Sequence, residues 1–408
     1  MKSSSKKKTS PRSSARRPAP GDSQAIDQLC ELLAIPGGSG DELRVAQHLK
    51  DRLVQAGASP GSFAFDEAHR RSVHGGACGN LILKLPGTHR GPRRLLAAHM
   101  DTVPLCVGGR PKRVGSRIVP AEKGLGLGGD DRAGCAVLLA TAAAAVRREF
   151  SHPPLTFLWT VQEEAGLHGA RHVTLAKLGK PQIACNWDGG PAHRITLGAT
   201  GGYRMEIETL GIPAHAGNHP ERGVSAIAIA AIAITDLVEN GWHGLIECDG
   251  VRGTSNVGVV RGGEATNVVT DRVELMAEAR SHDPKLRKRI VKEIKEAFDR
   301  AAKRTRNADG KCGKVRFTGR LDYESFSLDR RHPSVVAAVD AIAGNGREPE
   351  FNISNGGLDA NWLSARGVPT ATLGCGQNAI HTAAEWLDLE EFAFALGVAR
   401  RFASGGVG

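Results

Sequence analysis

The segment RLLAAHMDTVP, residues 94–104, decides the fold of this 408-residue chain. Its apolar run, residues 95–98, is typical of a strand buried on both faces, and the polar residues His99 and Asp101 follow where that strand would end. Comparable apolar strands are predicted at 79–85, 154–161, 182–187 and 369–374. Ala-rich helical runs follow several of them, so the sequence predicts an α/β fold with a mostly parallel central sheet flanked by helices.

The stretch 199–328 interrupts this pattern. We predict strands at 203–209, 254–260, 272–279 and 315–321, with helices at 224–238 and 283–303. The order strand, helix, strand, strand, helix, strand predicts an inserted ferredoxin-like α+β domain. Residues 23–198 and 329–408 would then form the α/β domain. By analogy, the edge strand of the insertion and its apolar helix around 226–234 are candidates for a dimer contact.

The net charge of +11 is unevenly distributed. Residues 1–20 hold seven Lys and Arg and no acid, so the remaining 388 residues carry only +4. Ser, Lys, Arg and Pro dominate residues 1–22, which we expect to be a disordered basic tail. The near-neutral body, with 4% aromatic residues, argues against a nucleic-acid partner for any part except the tail.

Cysteine usage and apolar run lengths favour a cytoplasmic protein. The eight cysteines show no close pair, as expected for reduced thiols in a reducing compartment. The longest apolar runs, 133–146 and 226–234, are shorter than the roughly 20 residues that a membrane-spanning helix needs. We therefore expect no membrane partner.

Candidate metal ligands follow several predicted strands. They are His99 and Asp101 after residues 94–98, Asp130 and Asp131 in GGDDRAG, Glu163 and Glu164 in QEEAG, Asp188 in ACNWDGG, and His381 in IHTAAEW. Because ligands bind at the carboxyl ends of strands in open α/β sheets, we expect these side chains to share one cleft. Imidazole and carboxylate without thiolate suit zinc, with cobalt or manganese as substitutes. Two histidines with several acids exceed the needs of one ion and indicate two ions about 3.5–4 Å apart.

These motifs resemble those of a known family. HMDTVP, GGDDRAG, QEEAGLHGA, GIPAHAGNHPERGVSAI, SNGGLDANWLSARGVPT and IHTAAEW occur in the order typical of the cocatalytic di-zinc peptidases. This family includes peptidase T (tripeptide aminopeptidase), carboxypeptidase G, succinyl-diaminopimelate desuccinylase and the aminoacylases. The resemblance extends from about residue 24 to the C-terminus, and GGDDRAG and GGLDAN are most similar to the peptidase T branch. It implies a zinc-peptidase-like catalytic domain with an inserted lid and dimerisation domain.

The resemblance also implies residue roles at a centre with two Zn²⁺ per subunit. His99 and Asp188 would bind one ion, Glu164 and His381 the other, and Asp130 would bridge them. Asp101 would hold the imidazole of His99 in its tautomer, and Glu163 would be the general base. Whether Asp130 or its neighbour Asp131 is the bridging ligand stays open at this point.

The inserted domain supplies three further candidates. His215 in GIPAHAG matches a family histidine that reaches the site of the other subunit and stabilises the oxyanion. Asn267 and Arg280 match substrate-binding positions, and the guanidinium of Arg280 suits a carboxylate. Judged from the residues alone, Asn267 could instead close a turn, and Arg280 could pair with Asp283. Four other polar residues also lie near the motifs, namely His168, His193, His219 and Glu385, and for the three histidines a structural role is favoured. Gly356 and Gly357 would permit a tight turn near the substrate.

The function implied by the resemblance is a di-zinc exopeptidase for short peptides, most closely a tripeptide aminopeptidase that acts as a homodimer through its inserted domain. A carboxypeptidase G-like enzyme or an N-acyl or N-carbamoyl amino-acid amidohydrolase would use the same centre, since each needs a polarised carbonyl and an anchored carboxylate. Two other classes are a nucleic-acid-associated module that uses the tail and a catalytically inactive binding protein. The body shows no nucleic-acid-binding motif and every expected ligand is present, which disfavours both classes.

Overall fold

The computed structural model describes residues 20–406. The strands are β1 Phe63–Phe65, β2 Leu81–Leu85, β3 Arg94–His99, β4 Pro111–Val114, β5 Arg117–Pro120, β6 Leu155–Thr160, β7 Ile183–Trp187, β8 Arg194–Ala199, β9 Gly201–Leu210, β10 Gly244–Cys248, β11 Val251–Gly262, β12 Arg272–Ser281, β13 Lys314–Tyr323, β14 Phe326–Ser327, β15 Glu350–Ser354, β16 Thr370–Leu373, β17 Gln377–Asn378 and β18 Trp386–Asp388. The helices are α1 Pro20–Leu33, α2 Leu43–Gln55, α3 Ala68–Arg71, α4 Gly129–Val146, α5 His168–His172, α6 Leu175–Leu178, α7 Ala226–Glu239, α8 Pro284–Arg304, α9 Pro333–Ala343, α10 Asp359–Ala365 and α11 Leu389–Ser404. Of the predicted basic tail, 1–22, only the last three residues fall in this range, at the start of α1, and the rest lies outside it.

The larger sheet has the strand order β1-β2-β6-β3-β7-β16-β8-β14, and β15 also pairs with β8. Its four central strands, β6, β3, β7 and β16, run parallel. Antiparallel strands lie on either side, where β2 pairs with β6 and β8 pairs with β16. The predicted mostly parallel central sheet is therefore confirmed, although the predicted strand at 79–85 is antiparallel.

Strand β3 is buried on both faces, as its apolar run predicts. Leu96 and Ala98 belong to the large core cluster on the side of α4, whereas Leu95 and Ala97 belong to the smaller cluster with α10. Helix α4 is buried from its first residue to Ala145, because its small Ala side chains let it pack closely between the sheet and helices α1, α2 and α11. The central strands therefore lie between α4 on one face of the sheet and α10 on the other.

A second sheet has the order β10-β11-β12-β9-β13 and is antiparallel throughout. Helices α7 and α8 pack against it around their own core, which includes Ile229, Ile290 and Phe298. Without β10, this is the predicted ferredoxin-like arrangement, so the inserted α+β layer is confirmed. The sequence did not predict β10, a short edge strand that forms a hairpin with β11. Strand β14 pairs with β8 in the larger sheet. The predicted limits of the insertion, 199–328, stay a prediction.

A third, small sheet of order β17-β18-β5-β4 was not predicted. Strands β17 and β18 pair antiparallel and enclose residues 379–385, the loop that carries His381. All eight cysteines are free, and no helix in the described range 20–406 has the length and apolar character needed to cross a membrane.

Candidate metal centre

The centre lies at the carboxyl ends of three adjacent parallel strands. His99 is the last residue of β3, residues 161–164 follow β6, and Asp188 follows β7. These three ends meet at one edge, because β3 lies between β6 and β7. Asp130 reaches the same place from the first turn of α4, and His381 comes from the loop between β17 and β18.

Two groups of three potential ligands form here and share Asp130. The ligand atoms of His99, Asp130 and Asp188 lie within 4.8 Å of one another, and so do those of Asp130, Glu164 and His381. Asp130 Oδ1 is 3.0 Å from His99 Nε2, and Asp130 Oδ2 is 3.2 Å from His381 Nε2. Glu164 Oε1 is 3.0 Å from the same nitrogen of His381. A carboxylate that offers one oxygen to each group is what a pair of ions needs.

The neighbouring Asp131 is engaged elsewhere. Its Oδ2 accepts the backbone N–H of His99 at 3.0 Å. Its Oδ1 accepts the backbone N–H of Gly134 at 3.0 Å and the side-chain amide of Gln377 at 2.9 Å. Asp131 therefore ties the end of β3 to α4, and Asp130 is the aspartate that belongs to both ligand groups.

Glu385 fixes the backbone that presents Asp130. Its Oε2 accepts the N–H groups of Leu127 at 2.8 Å and Gly128 at 2.9 Å, and its Oε1 accepts the N–H of Asp130 at 3.2 Å. In the sequence Glu385 is only a neighbour of His381 in IHTAAEW. Its three partners lie 255 to 258 residues away along the chain, so sequence reasoning could not assign this role.

Asp101 is fully buried behind His99. Nδ1 of His99 is 3.0 Å from the backbone oxygen of Asp101 and 3.4 Å from its Oδ1. These acceptors place the imidazole proton on Nδ1 and leave Nε2 free to bind metal. The Asp101 carboxylate also accepts the backbone N–H groups of Glu163 at 2.9 Å and Glu164 at 3.1 Å. One carboxylate thus orients a histidine and two glutamates.

Glu163 lies beside the ligand groups and belongs to neither. In the part of the chain that the structure describes, its carboxylate accepts no hydrogen bond, whereas that of Glu164 contacts His381. Burial raises the pKa of Glu163 well above its usual value, and the charges of Asp188 and Glu164 add to this shift. An unengaged carboxylate with a raised pKa suits proton transfer.

The crowded carboxylates and histidines fit a pair of cations. Burial and the charge of Asp130 raise the pKa of Asp188 to about 8. Burial also raises the pKa of Glu164, while hydrogen bonds to Asp130 and Glu164 raise the pKa of His381 to about 10. Without a cation this cluster therefore retains protons that metal binding would displace. Two imidazoles and three carboxylates without a thiolate suit zinc, and also cobalt or manganese.

Among the described residues, none of the three candidates from the inserted domain belongs to either ligand group. Arg280 pairs with Gly202, at the end of the second sheet that joins the larger one. His215 and Asn267 lie beyond the opposite end, past Leu210. Eight residues of extended strand separate the two ends, a distance of about 26 Å. Within residues 20–406, no hydrogen bond or ion pair links any of the three side chains to the proposed metal ligands.

Local contacts show how these side chains are oriented. Nδ1 of His215 accepts the N–H groups of Gly217 and Asn218, both at 3.1 Å, so Nε2 carries the proton and is available as a donor. The backbone oxygen of Asn267 accepts the N–H of Ala216 at 2.9 Å, which ties the loops of His215 and Asn267 together. Arg280 pairs with Glu278 at 3.0 Å, whereas Asp283 caps α8.

Other residues singled out from the sequence contribute to local packing. His193 and His219 each lie within 4.0 Å of a glutamate carboxylate, and His168 packs against two other histidine rings. At Gly357 a Cβ would come within 2.9 Å of the Tyr323 ring. The glycine at this position is therefore required for close packing.

Sequence reasoning singled out no residue of the loop at residues 37–42. Ser39 Oγ donates to Asp101 Oδ2 at 2.6 Å, and Glu42 Oε1 accepts the N–H of Gln162 at 2.9 Å. It also missed Asp359, which is buried and accepts a hydrogen bond from Thr160 at the end of β6. The only sequence signal was a polar residue beside a glycine-rich segment in each case.

Comparison with known proteins agrees with this architecture. A family model with the description "Peptidase family M20/M25/M40" matches residues 95–404. The chain is 30% identical to the uncharacterized protein YqjE of Bacillus subtilis over 91% of its own length and 95% of that protein. A solved tripeptidase from Staphylococcus aureus superposes with a TM-score of 0.83 at 28% identity, covering 94% of this chain and 98% of that one. Aminopeptidase PepT from Bacillus cereus gives a TM-score of 0.80 at 29% identity, covering 95% and 99%. The chain therefore belongs to peptidase family M20/M25/M40 and is a hydrolase acting on peptide or amide bonds.

Proposed function

We propose that this hydrolase is a di-zinc exopeptidase for short peptides, and specifically a tripeptide aminopeptidase. The observation that carries the proposal is Asp130, whose two oxygens face two separate ligand groups, each with one histidine. Similarity along almost the whole chain to a tripeptidase and to PepT supports short peptides as substrates.

The proposed ligands are the five residues of the two groups. His99 and Asp188 would hold one ion, Glu164 and His381 the other, and Asp130 both. When bound, the ions would polarise the scissile carbonyl and lower the pKa of the attacking water. Zinc is the proposed metal, with cobalt or manganese as substitutes.

Glu163 is the proposed general base. Its carboxylate would take the proton of the attacking water and deliver it to the leaving amine, which makes one residue serve both steps. The bond from its backbone N–H to Asp101, at 2.9 Å, supports this role, because Asp101 also orients His99. The base and the first ligand are thus held by one common group.

The positions of the inserted-domain residues support action as a homodimer. His215 and Asn267 are exposed, and among the described residues no hydrogen bond or ion pair links them to the proposed ligands of their own chain, so we place them at the site of a second copy. His215 would stabilise the oxyanion through its Nε2–H, while Asn267 and Arg280 would bind the substrate. Exposed apolar residues on α7 and on edge strand β10, namely Ile227 and Leu245, offer a surface for such pairing.

Identification of cleavage products tests the peptidase proposal. Purified protein is incubated with zinc or cobalt and a tripeptide of three different residues, beside its N-acetylated form, dipeptides and N-acyl amino acids. We expect release of the first residue from the free tripeptide and no cleavage of the acetylated one, since an aminopeptidase recognises the free amine. Release of the last residue would indicate a carboxypeptidase, and rapid deacylation without tripeptide cleavage would contradict the proposal.

We also propose a cytoplasmic location. All eight cysteines are free and five of them are buried, which suits a reducing compartment. In cell fractionation, we expect to detect the chain in the cytosolic fraction. Recovery from an exported fraction would contradict this location.

A further inference from the structure

The residue before the proposed base has an unusual backbone conformation. Gln162 has a φ of 55°, in the left-handed region that residues other than glycine rarely adopt. It is fully buried, and its N–H donates to Glu42 Oε1 at 2.9 Å. Its side chain accepts from Ser72 Oγ at 2.5 Å and donates to the carbonyl of Gly75 at 2.6 Å. Groups outside the metal centre therefore hold this conformation.

The turn at Gln162 sets the course of the chain through Glu163. Strand β6 ends at Thr160, and three residues later the N–H of Glu163 bonds to Asp101 at 2.9 Å. On the other side, the carbonyl of Glu163 accepts the N–H groups of Gly166 at 2.9 Å and Leu167 at 2.8 Å. The backbone of Glu163 is thus fixed at both polar groups, while its carboxylate stays unengaged by the described residues.

Glu42 connects this turn to the N-terminal loop, residues 37–42. Glu42 is fully buried at the start of α2, and its Oε1 also accepts the N–H of Gly40 at 2.8 Å. Three residues earlier, Ser39 donates to Asp101 at 2.6 Å. The loop therefore contacts two residues that hold the backbone of Glu163: Glu42 bonds to Gln162, and Ser39 bonds to Asp101. It lies outside residues 95–404, which the family model matches.

We propose that Glu42 is a positioning residue for hydrolysis: by accepting the N–H of Gln162, it maintains the left-handed turn that directs the carboxylate of Glu163. The inference rests on the proposed role of Glu163 as general base. Without the acceptor, the turn relaxes toward an ordinary backbone conformation and the carboxylate moves, and a displacement of about 1 Å lowers a rate by about 100-fold. Glu42 belongs to neither ligand group, so metal content is unaffected.

Two substitutions at Glu42 separate its role as an acceptor from its role in packing. Glu42→Leu keeps a similar volume and removes the acceptor, whereas Glu42→Gln retains a carbonyl oxygen at the position of Oε1. Ser334→Ala is the matched control, because Ser334 is also fully buried and accepts a backbone N–H, that of Ala184 at 3.0 Å, away from the centre. Glu42→Met, which is unbranched like glutamate and also lacks the acceptor oxygen, is the second variant should Glu42→Leu fail to fold.

The measurements are kcat and KM for a tripeptide, metal content, and deuterium exchange of the segment 160–168. In Glu42→Leu we expect kcat to fall about 10- to 100-fold with KM within about twofold, two metals retained, and faster exchange in 160–168. Glu42→Gln should stay within about threefold of the wild type, since it still accepts the N–H. Glu42→Met should behave like Glu42→Leu, and Ser334→Ala should change neither kcat nor exchange in this segment.

Unchanged kcat in Glu42→Leu, or in Glu42→Met if the former does not fold, would overturn the positioning role. Equal losses in Glu42→Leu and Glu42→Gln would overturn it as well, because the charge and not the acceptor would then matter. Both results presuppose an active wild type and an inactive Glu163→Gln variant. Failure of the proposed function would give a different result: the Glu163→Gln variant would retain turnover.

Discussion

Replacement of Glu163 by glutamine should abolish turnover and leave the metal in place. The amide cannot take a proton from water, but it has nearly the same volume as the carboxylate. The bond from the N–H of residue 163 to Asp101, 2.9 Å long, uses the main chain and survives the substitution. Because Glu163 belongs to neither ligand group, both ions should remain bound.

The size of the effect follows from the site. A positioned general base contributes about 10²- to 10⁴-fold, or about 2.7 to 5.5 kcal/mol of transition-state stabilisation. Burial raises the pKa of Glu163 well above its usual value, which makes its carboxylate a stronger base. We therefore expect kcat to fall by about 10³-fold or more.

The assay compares Glu163→Gln with Glu164→Gln, two identical changes at adjacent positions. Turnover of a tripeptide and metal content by mass spectrometry are measured on the same samples. Glu164 Oε1 lies 3.0 Å from His381 in a ligand group, so its replacement should weaken binding of one ion. A Glu163→Gln variant with kcat within about tenfold of the wild type would refute the base assignment. Loss of both ions in that variant would make Glu163 a ligand.

Three further predictions address the bridging role of Asp130, the raised pKa values in the ligand groups and the proposed homodimer. Asp130→Ala should lower metal content from two ions to fewer than one per chain, because both ligand groups lose a member; retention of one full ion would argue against a shared ligand. The metal-free protein should lose thermal stability as pH rises from about 4 to about 10. The pKa values of Asp188 and His381 in the folded protein, about 8 and about 10, exceed their ordinary values. The folded protein therefore loses in this pH range the protons that favour it over the unfolded chain. A melting temperature that rises with pH would contradict this charge distribution. If His215 acts across a homodimer, then Glu163→Gln and His215→Ala subunits, each inactive alone, should regain activity after mixing and reassociation. About a quarter of wild-type activity is expected, because about half of the dimers are mixed and each mixed dimer has one intact site of its two. No recovery would contradict action across the dimer.

The sequence sufficed for the parts of the structure that depend on local pattern. The apolar run before His99 predicted a doubly buried strand, and polar residues at the ends of such strands predicted which side chains come together. The ferredoxin-like insertion followed from the order of its strands and helices. These inferences succeed because burial on both faces leaves a continuous apolar run, and because parallel strands bring their carboxyl ends to one edge.

Contacts between distant segments could not be predicted in the same way. The acceptor role of Glu42 depends on Gln162, 120 residues away, and that of Glu385 depends on the turn before α4. Neither residue has a sequence pattern that names its partner. The edge strand β10 was missed because five residues with mixed burial give little periodic signal. The distinction between Asp130 and Asp131 likewise required side-chain orientation, since both are buried acids in one motif.

Counting the metal ions tests the central claim most directly. Metal-free protein is titrated with Zn²⁺ while bound metal and hydrolysis of a tripeptide are followed together. The shared position of Asp130 between two ligand groups predicts saturation at two ions per chain, with full activity only when both are bound. Saturation at one ion with full activity, or hydrolysis by the metal-free protein, would contradict the two-metal centre.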